Sequence, residues 1–173
     1  MDDALRVVCE MNQSTWDRLQ SALEDLGEEE REWRPLPEAN TINLIVRHLR
    51  IESEWHFDSL ERGEPMPTIA TPAPQEAIDA VPLDFEENFK KLAEFYTRFL
   101  QVLRTATLDT LRRRTSTAYG EASGTAGRTY LLAYHQAMHM AMHCGQIRAI
   151  RNLYRKTRGE PARFFPENPT YPQ

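Results

Sequence analysis

The sequence predicts an all-α protein, a four-helix bundle with a long crossover between its second and third helices. Three observations support this fold class: apolar residues recur at steps of three and four, only 7 of 173 residues are glycine, and prolines cluster between the second and third helical stretches. The content of 40% hydrophobic and 27% charged residues suits a folded helical protein. A chain of this length most simply forms one domain, which we assign to residues 1–173.

The first predicted helix spans Asp3 to Leu26 and ends at Gly27. Glu28 to Trp33 is expected to carry a short turn of helix before two prolines force a loop. The apolar residues of the first helix form one stripe, which predicts a buried face. They are Leu5, Val8, Trp16, Leu19, Leu23 and Leu26.

The second predicted helix covers roughly Ile42 to Arg62. Asn40 or Thr41 is expected to cap it, since either side chain can accept a hydrogen bond from the first free amides. The crossover that follows, residues 63–82, contains five prolines and is long enough to join distant helices. It is expected to contain a short helical piece at Gln75 to Ala80.

The third predicted helix opens at Asp84, a residue type that favours the N-cap position. Residues 105–127 have no clear pattern and are predicted to be irregular. The fourth helix starts near Thr125 and runs to about Lys156, and the apolar tail at residues 160–173 is expected to pack back over the bundle. The seam of the third helix consists of Phe85, Phe89, Leu92, Tyr96, Phe99 and Leu103.

Three of the five histidines stand four residues apart in the fourth predicted helix, at His135, His139 and His143. A step of four turns an α-helix by about 400°, so the three imidazoles share one face. The outer two lie about 12 Å apart along the axis, too far for one ion to bind all three. The spacing therefore predicts a metal-binding pair, either the first two or the last two, completed from another helix. A repeat of three favours this site over core histidines that are satisfied by hydrogen bonds, and the absence of an adjoining glutamate excludes a zincin motif.

Motifs in the second and fourth predicted helices are similar to those of a known family. Residues 139–151, HMAMHCGQIRAIR, match the pattern HxxxHxGQIxxIR, and residues 40–49, NTINLIVRHL, are similar to NSIxWLxxHL. Trp-Arg-Pro at residues 33–35 precedes the second motif. On these residues the chain resembles the DinB-like proteins, the DinB/YfiT superfamily of bacterial four-helix bundles, over nearly its whole length.

The resemblance implies a divalent metal ion, zinc or nickel, held by a histidine of the second helix and an i, i+4 pair of the fourth. By match of motif these ligands are His48, His139 and His143, with His135 as their neighbour. Glu52 lies one turn beyond His48, and its carboxylate is a candidate catalytic group, either as a partner of the ligands or as a base for bound water. His56 is expected to be a half-buried polar residue near the helix end and is not counted as a ligand.

The net charge and the cysteine content indicate which binding partners and which cellular compartment to expect. A net charge of −5 gives no global attraction to nucleic acid, and the basic residues from Arg148 to Arg163 are interpreted as a solvated helix C-terminus. Cys9 and Cys144 form no CxxC motif, which indicates a reducing compartment. No apolar run approaches a membrane span and the first residues do not form a signal sequence, so we expect a cytoplasmic protein without membrane contacts.

Two functional hypotheses follow from the predicted metal site. Three neutral imidazoles leave coordination positions open for water or substrate, as catalytic sites do. The first hypothesis is a metal-dependent enzyme that activates water or a small thiol: the resemblance implies a hydrolase, or a thiol-dependent transferase or isomerase, without specifying the substrate. The alternative is a non-catalytic metal-binding bundle linked to stress response and assembled as a homodimer.

Overall fold

The part of the chain that the structure describes contains four long helices and two short ones. This computed structural model describes residues 3–62, 74–105, 107 and 129–161. No strand occurs in these ranges, so the predicted all-α class is confirmed. The helices are α1 (Asp3–Leu23), α2 (Glu28–Glu32), α3 (Ile42–Arg62), α4 (Gln75–Asp79), α5 (Phe85–Thr105) and α6 (Thr129–Thr157).

Each long helix packs against two others. Helix α1 lies on α6 and α5, and α3 lies on α5 and α6, so the apolar stripes of the four helices face a common core. Among the described residues, no helix is both long and apolar enough to cross a membrane. The main core cluster includes Trp16, Leu19, Ile45, Leu49, Leu92, Tyr96, Met140 and Ile147.

Side-chain caps set the starts of two long helices. Thr41 Oγ1 accepts a hydrogen bond from the backbone amide of Leu44 at 3.0 Å, so of the two candidate caps for α3 the structure uses threonine. Asp84 Oδ1 accepts one from the amide of Glu87, also at 3.0 Å, which confirms the predicted cap of α5. The short helical pieces predicted on either side of α3 are confirmed as α2 and α4.

The first helix ends three residues earlier than predicted, at Leu23 and not at Leu26. Asp25 adopts a left-handed backbone conformation with φ of 54°, which an aspartate tolerates because its short polar side chain can bond locally. Leu26 is still buried, so the apolar pattern was correct about burial although the helix does not continue. Three predicted features lie outside the described residues: most of the crossover, the residues before Thr129, and the tail from residue 162.

The prediction that the basic residues from Arg148 to Arg163 are solvated is wrong for Arg151, which is buried. Its side chain is 9% exposed, and Nε donates a hydrogen bond to Glu30 Oε1 at 2.9 Å. Its Nη1 donates to the carbonyl oxygen of Ala22 at 2.8 Å, in the last turn of α1. A cation at this position complements the negative end of the helix dipole. Arg151 of α6 therefore joins α1 and α2 from within the protein.

A buried polar network in the middle of α1 joins it to α5 and α6. Asn12 is completely buried, and its Nδ2 donates to the carbonyl oxygen of Ala133 at 3.1 Å. The hydroxyl of Tyr96 donates to the carbonyl oxygen of Asn12 at 3.0 Å. Because a buried polar atom without a partner costs free energy, these contacts favour this arrangement of the three helices.

Candidate metal centre

All five histidines of the chain lie where α3 faces α6. Helix α3 contributes His48 and His56, eight residues apart, and α6 contributes the row of three. The two helices run in opposite directions here, because His48 meets His139 and His143 while His56 stacks on His135. Two polar rows at helical spacing thus meet along one interface.

Three imidazole nitrogens converge at one end of this interface. His139 Nε2 lies 3.0 Å from His48 Nε2 and 2.9 Å from His143 Nε2. We call these residues the histidine trio. Donors about 2.0–2.1 Å from one ion stand roughly 2.9–3.4 Å apart in octahedral or tetrahedral geometry, so these spacings match a shared cation. The ligand atoms of the trio could hold a metal ion.

Hydrogen bonding alone leaves the trio poorly satisfied. His143 Nδ1 lies 2.7 Å from the amide oxygen of Gln146, which only accepts, so Nδ1 carries the hydrogen and Nε2 presents its lone pair to His139. The Nε2 of His139 can be either donor or acceptor but faces two neighbouring nitrogens, and its buried Nδ1 has no hydrogen-bond partner. A cation between the three Nε2 atoms would use every lone pair at once. The donor set therefore fits a divalent metal ion.

Burial keeps the trio neutral. It lowers the pKa of His48 to about 4, helped by the neighbouring imidazole of His143. Burial lowers the pKa of His139 to about 2, and the surrounding imidazoles act in the same direction. The pKa of His143 is also lowered by burial. Neutral imidazole is the form that binds metals, so the trio is in its binding form at pH 7.

The carboxylate of Glu52 stands beside the trio, one turn along α3 from His48. Its Oε1 lies 3.9 Å from His48 Nε2, and its Oε2 lies 3.8 Å from His139 Nδ1. The side chain is 25% exposed, and burial raises the pKa of the carboxyl group. A carboxylate in this position can orient a histidine ligand or accept a proton from a reacting group.

His56 differs from its prediction, because it is completely buried and not half-buried. Its ring stacks on that of His135 at 5.1 Å between centroids. Ligand atoms of His56, His135 and Glu52 all lie within 4.8 Å of one another. From the sequence His56 was not counted as a ligand, and His135 was a candidate only as the partner of His139. The available signal was the matching row of polar residues at i, i+4 and i+8 in α3, namely His48, Glu52 and His56.

A cavity of about 280 Å³ opens next to the trio. His48 and His143 belong both to the trio and to the cavity wall, so a molecule in the cavity would reach the ligand atoms. Arg47 lies in the wall with its side chain 14% exposed, and its guanidinium group donates to the carbonyl oxygen of Ile78 in α4. No pattern in the sequence indicated a function for Arg47. The other lining residues are Asn40, Leu44, Ile45, Ile51 and Ile78.

In the described residues an all-helical fold places a convergent group of neutral imidazoles beside an open cavity. This arrangement defines a class of helical proteins that could bind a metal ion. Within that class, the family model described as Mycothiol-S-transferase matches residues 9–156, and the chain belongs to this family. The family is part of the DinB/YfiT-like metal-dependent superfamily, so the resemblance seen in the sequence is confirmed. Neither the curated proteins nor the solved structures that were compared gave a match.

Proposed function

We propose that this protein is a metal-dependent thiol S-transferase that uses mycothiol as its thiol substrate. The convergence of three neutral imidazoles at the mouth of a cavity carries the proposal, and membership of the mycothiol S-transferase family supports the choice of thiol. We further propose that the four long helices form the four-helix bundle of DinB-like proteins in a single domain over residues 1–173. Pairwise packing of these helices around a common core supports that architecture.

In this proposal His48, His139 and His143 hold the divalent ion. An all-nitrogen donor set suits zinc or nickel. When bound, such an ion lowers the pKa of a coordinated thiol and so supplies a thiolate near neutral pH. Glu52 receives the thiol proton, for which its partly buried carboxylate, 3.9 Å from His48 Nε2, is suitably placed. The sulfur then forms a bond to an electrophilic carbon of the second substrate, whose leaving group departs with the electron pair of the broken bond.

The cavity walls indicate where the second substrate binds. Leu44, Ile45 and Ile51 of α3 and Ile78 of α4 offer apolar contacts for the body of an electrophile. The guanidinium group of Arg47 lies in the same wall, where its Nη2 is 3.9 Å from the exposed carboxylate of Asp79 and its buried Nε has no hydrogen-bond partner. We therefore propose an electrophile that is mainly apolar and carries an anionic or strongly polar group for Arg47.

An assay with mycothiol and a halobimane, whose carbon–halogen bond breaks when sulfur attacks, tests this function. The metal-loaded protein is expected to accelerate formation of the thioether and release of halide. Chelation should abolish that acceleration, and addition of Zn²⁺ or Ni²⁺ should restore it. Ester hydrolysis without consumption of thiol would contradict the transferase proposal and favour the hydrolase. Absence of both reactions in protein that unfolds on chelation would favour the non-catalytic alternative.

Glu52→Gln is expected to lower kcat by about 10–100-fold while the first Zn²⁺ equivalent still binds. Glutamine keeps the size of the side chain but removes the group that takes the proton. Glu54→Gln is the matched control, since Glu54 lies two residues further along the same helix and pairs with Arg50 at 3.2 Å. Equal kcat values for the two variants would exclude a role for Glu52 in proton transfer.

A further inference from the structure

We infer that Glu52, His56 and His135 form a second binding site for a divalent transition-metal ion, adjacent to the histidine trio. One ligand atom from each of the three residues lies within 4.8 Å of the other two. The site uses the same two helices as the trio, with two ligands from α3 and one from α6. It shares Glu52 with the proposed transferase mechanism, but the inference itself rests only on the geometry of these three side chains.

His56 provides the strongest argument for an ion. Its Nδ1 lies 2.7 Å from the backbone carbonyl oxygen of Glu52, and because a carbonyl only accepts, Nδ1 must carry the hydrogen. The neutral ring therefore presents a lone pair at Nε2. The residue is 0% exposed, so water cannot reach that atom, and it has no hydrogen-bond partner within the protein. A buried acceptor without a partner is costly, and metal coordination would satisfy it.

The same hydrogen bond is what a metal-binding histidine requires. Histidine ligands usually donate their second ring hydrogen to a carbonyl or carboxylate, which fixes the tautomer and the orientation of the ring. His56 makes this hydrogen bond to the backbone carbonyl oxygen of Glu52. Stacking on His135, at 5.1 Å and 21° between planes, further restricts the ring. Helix α3 thus orients the His56 ring so that the lone pair of Nε2 lies at the interface with α6.

The donor set differs from that of the trio in charge and in metal preference. Two imidazoles and one carboxylate form a common ligand set for Fe²⁺ and also suit Zn²⁺ and Co²⁺. The carboxylate of Glu52 compensates one positive charge of the ion, whereas the trio compensates none. Glu52 also lies within 4 Å of the trio, with Oε1 3.9 Å from His48 Nε2. An ion in the second site would therefore draw the Glu52 carboxylate away from the trio.

Zinc binding to the full-length protein tests the second site without any thiol. Metal-free protein is dialysed against Zn²⁺, and the bound metal is measured by elemental analysis. The unsubstituted protein is expected to hold two ions per chain. His56→Phe and His135→Phe should each hold one, because phenylalanine keeps the ring but removes the nitrogen donors. His143→Phe, which alters only the trio, should also hold one, and the double variant His56→Phe/His143→Phe should hold none.

Each result decides for or against the second site. A single zinc ion in the unsubstituted protein overturns the inference, as does a second ion that persists in both His56→Phe and His135→Phe. Circular dichroism identifies variants that keep their helices. If the buried His56→Phe does not fold, the half-exposed position at His135 provides the decisive variant. A failure of the transferase assay leaves this stoichiometry unaffected, so the two proposals fail separately.

Discussion

His139→Ala is expected to weaken binding of the first zinc equivalent by at least about 100-fold and to reduce transferase activity to background. Substitution of residues that merely orient metal ligands already costs about 10–100-fold, and His139 is itself the central member of the trio. Its Nε2 is the atom that lies within 3.0 Å of both other nitrogens. Without it, His48 and His143 remain as two donors from different helices. Competition with a chromophoric chelator measures the zinc affinity, and the halobimane assay measures the activity.

Met142→Ala is the matched control for this prediction. It lies on the same helix next to His143, but its side chain is 53% exposed and outside the trio. The control should keep the zinc affinity and activity of the unsubstituted protein. Urea unfolding of both variants separates loss of the ion from loss of the fold. Normal zinc affinity in a folded His139→Ala protein would refute the trio as the metal site.

Arg151→Met is expected to lower the free energy of unfolding by about 3–5 kcal/mol. Removal of one partner from a buried ion pair leaves the other charge without compensation, which is why such substitutions are severe. Both side chains of the Arg151–Glu30 pair are 9% exposed, and the variant also loses the hydrogen bond to Ala22 at the end of α1. Urea denaturation monitored by circular dichroism gives the difference directly.

Arg158→Met provides the control, because Arg158 pairs with Glu29 at 3.2 Å on the surface, with side chains 49% and 72% exposed. That substitution should cost less than about 1 kcal/mol. A double variant, Arg151→Met/Glu30→Met, should recover much of the lost stability because no charge remains buried. Equal effects of Arg151→Met and Arg158→Met would show that the buried pair contributes no more than the exposed one.

The helical framework could be predicted because its determinants are local. Thr41 and Asp84 cap the helices that follow them, and these bonds span only three residues. The end of α1 could not be predicted as well, since Leu26 continues the apolar pattern beyond the last helical turn. The spacing of apolar residues indicates which of them are buried. A residue at that spacing can be buried in a turn as well as in a helix.

The candidate site shows the limit of local patterns more clearly. Within α6 the pair His135 and His139 has the same spacing as the pair His139 and His143, so α6 alone could not select between them. Selection comes from His48 on α3, whose ring centroid lies 4.8 Å from that of His143, while His56 stacks on His135. The match of motif had indicated the pair His139 and His143. That these nitrogens bind an ion stays a prediction, which the zinc titrations test.

Long-range electrostatics explain why other residues were missed. Arg151 belongs to a run of basic residues that suggested a solvated helix end, but its partner Glu30 lies 121 residues away in the sequence. No local pattern reports such a pair. The complete burial of His56 likewise depends on the packing of α6 against α3, whereas the pattern of α3 alone predicted a half-buried residue near the helix end.

The four-residue repeat of histidines in α6 creates an ambiguity of register. If α6 slipped along α3 by one turn, about 5.4–6 Å, one imidazole would replace the next and the same kind of site could form. The register of α6 along α3 must therefore be set by side-chain contacts that occur at one position and do not recur at each helical turn. Gln136 Nε2 donates to Ser53 Oγ at 2.9 Å across the interface, and Arg151 anchors the far end of α6 to Glu30. Because these two bonds occur at single positions along α6, they favour the register in which His139 and His143 face His48.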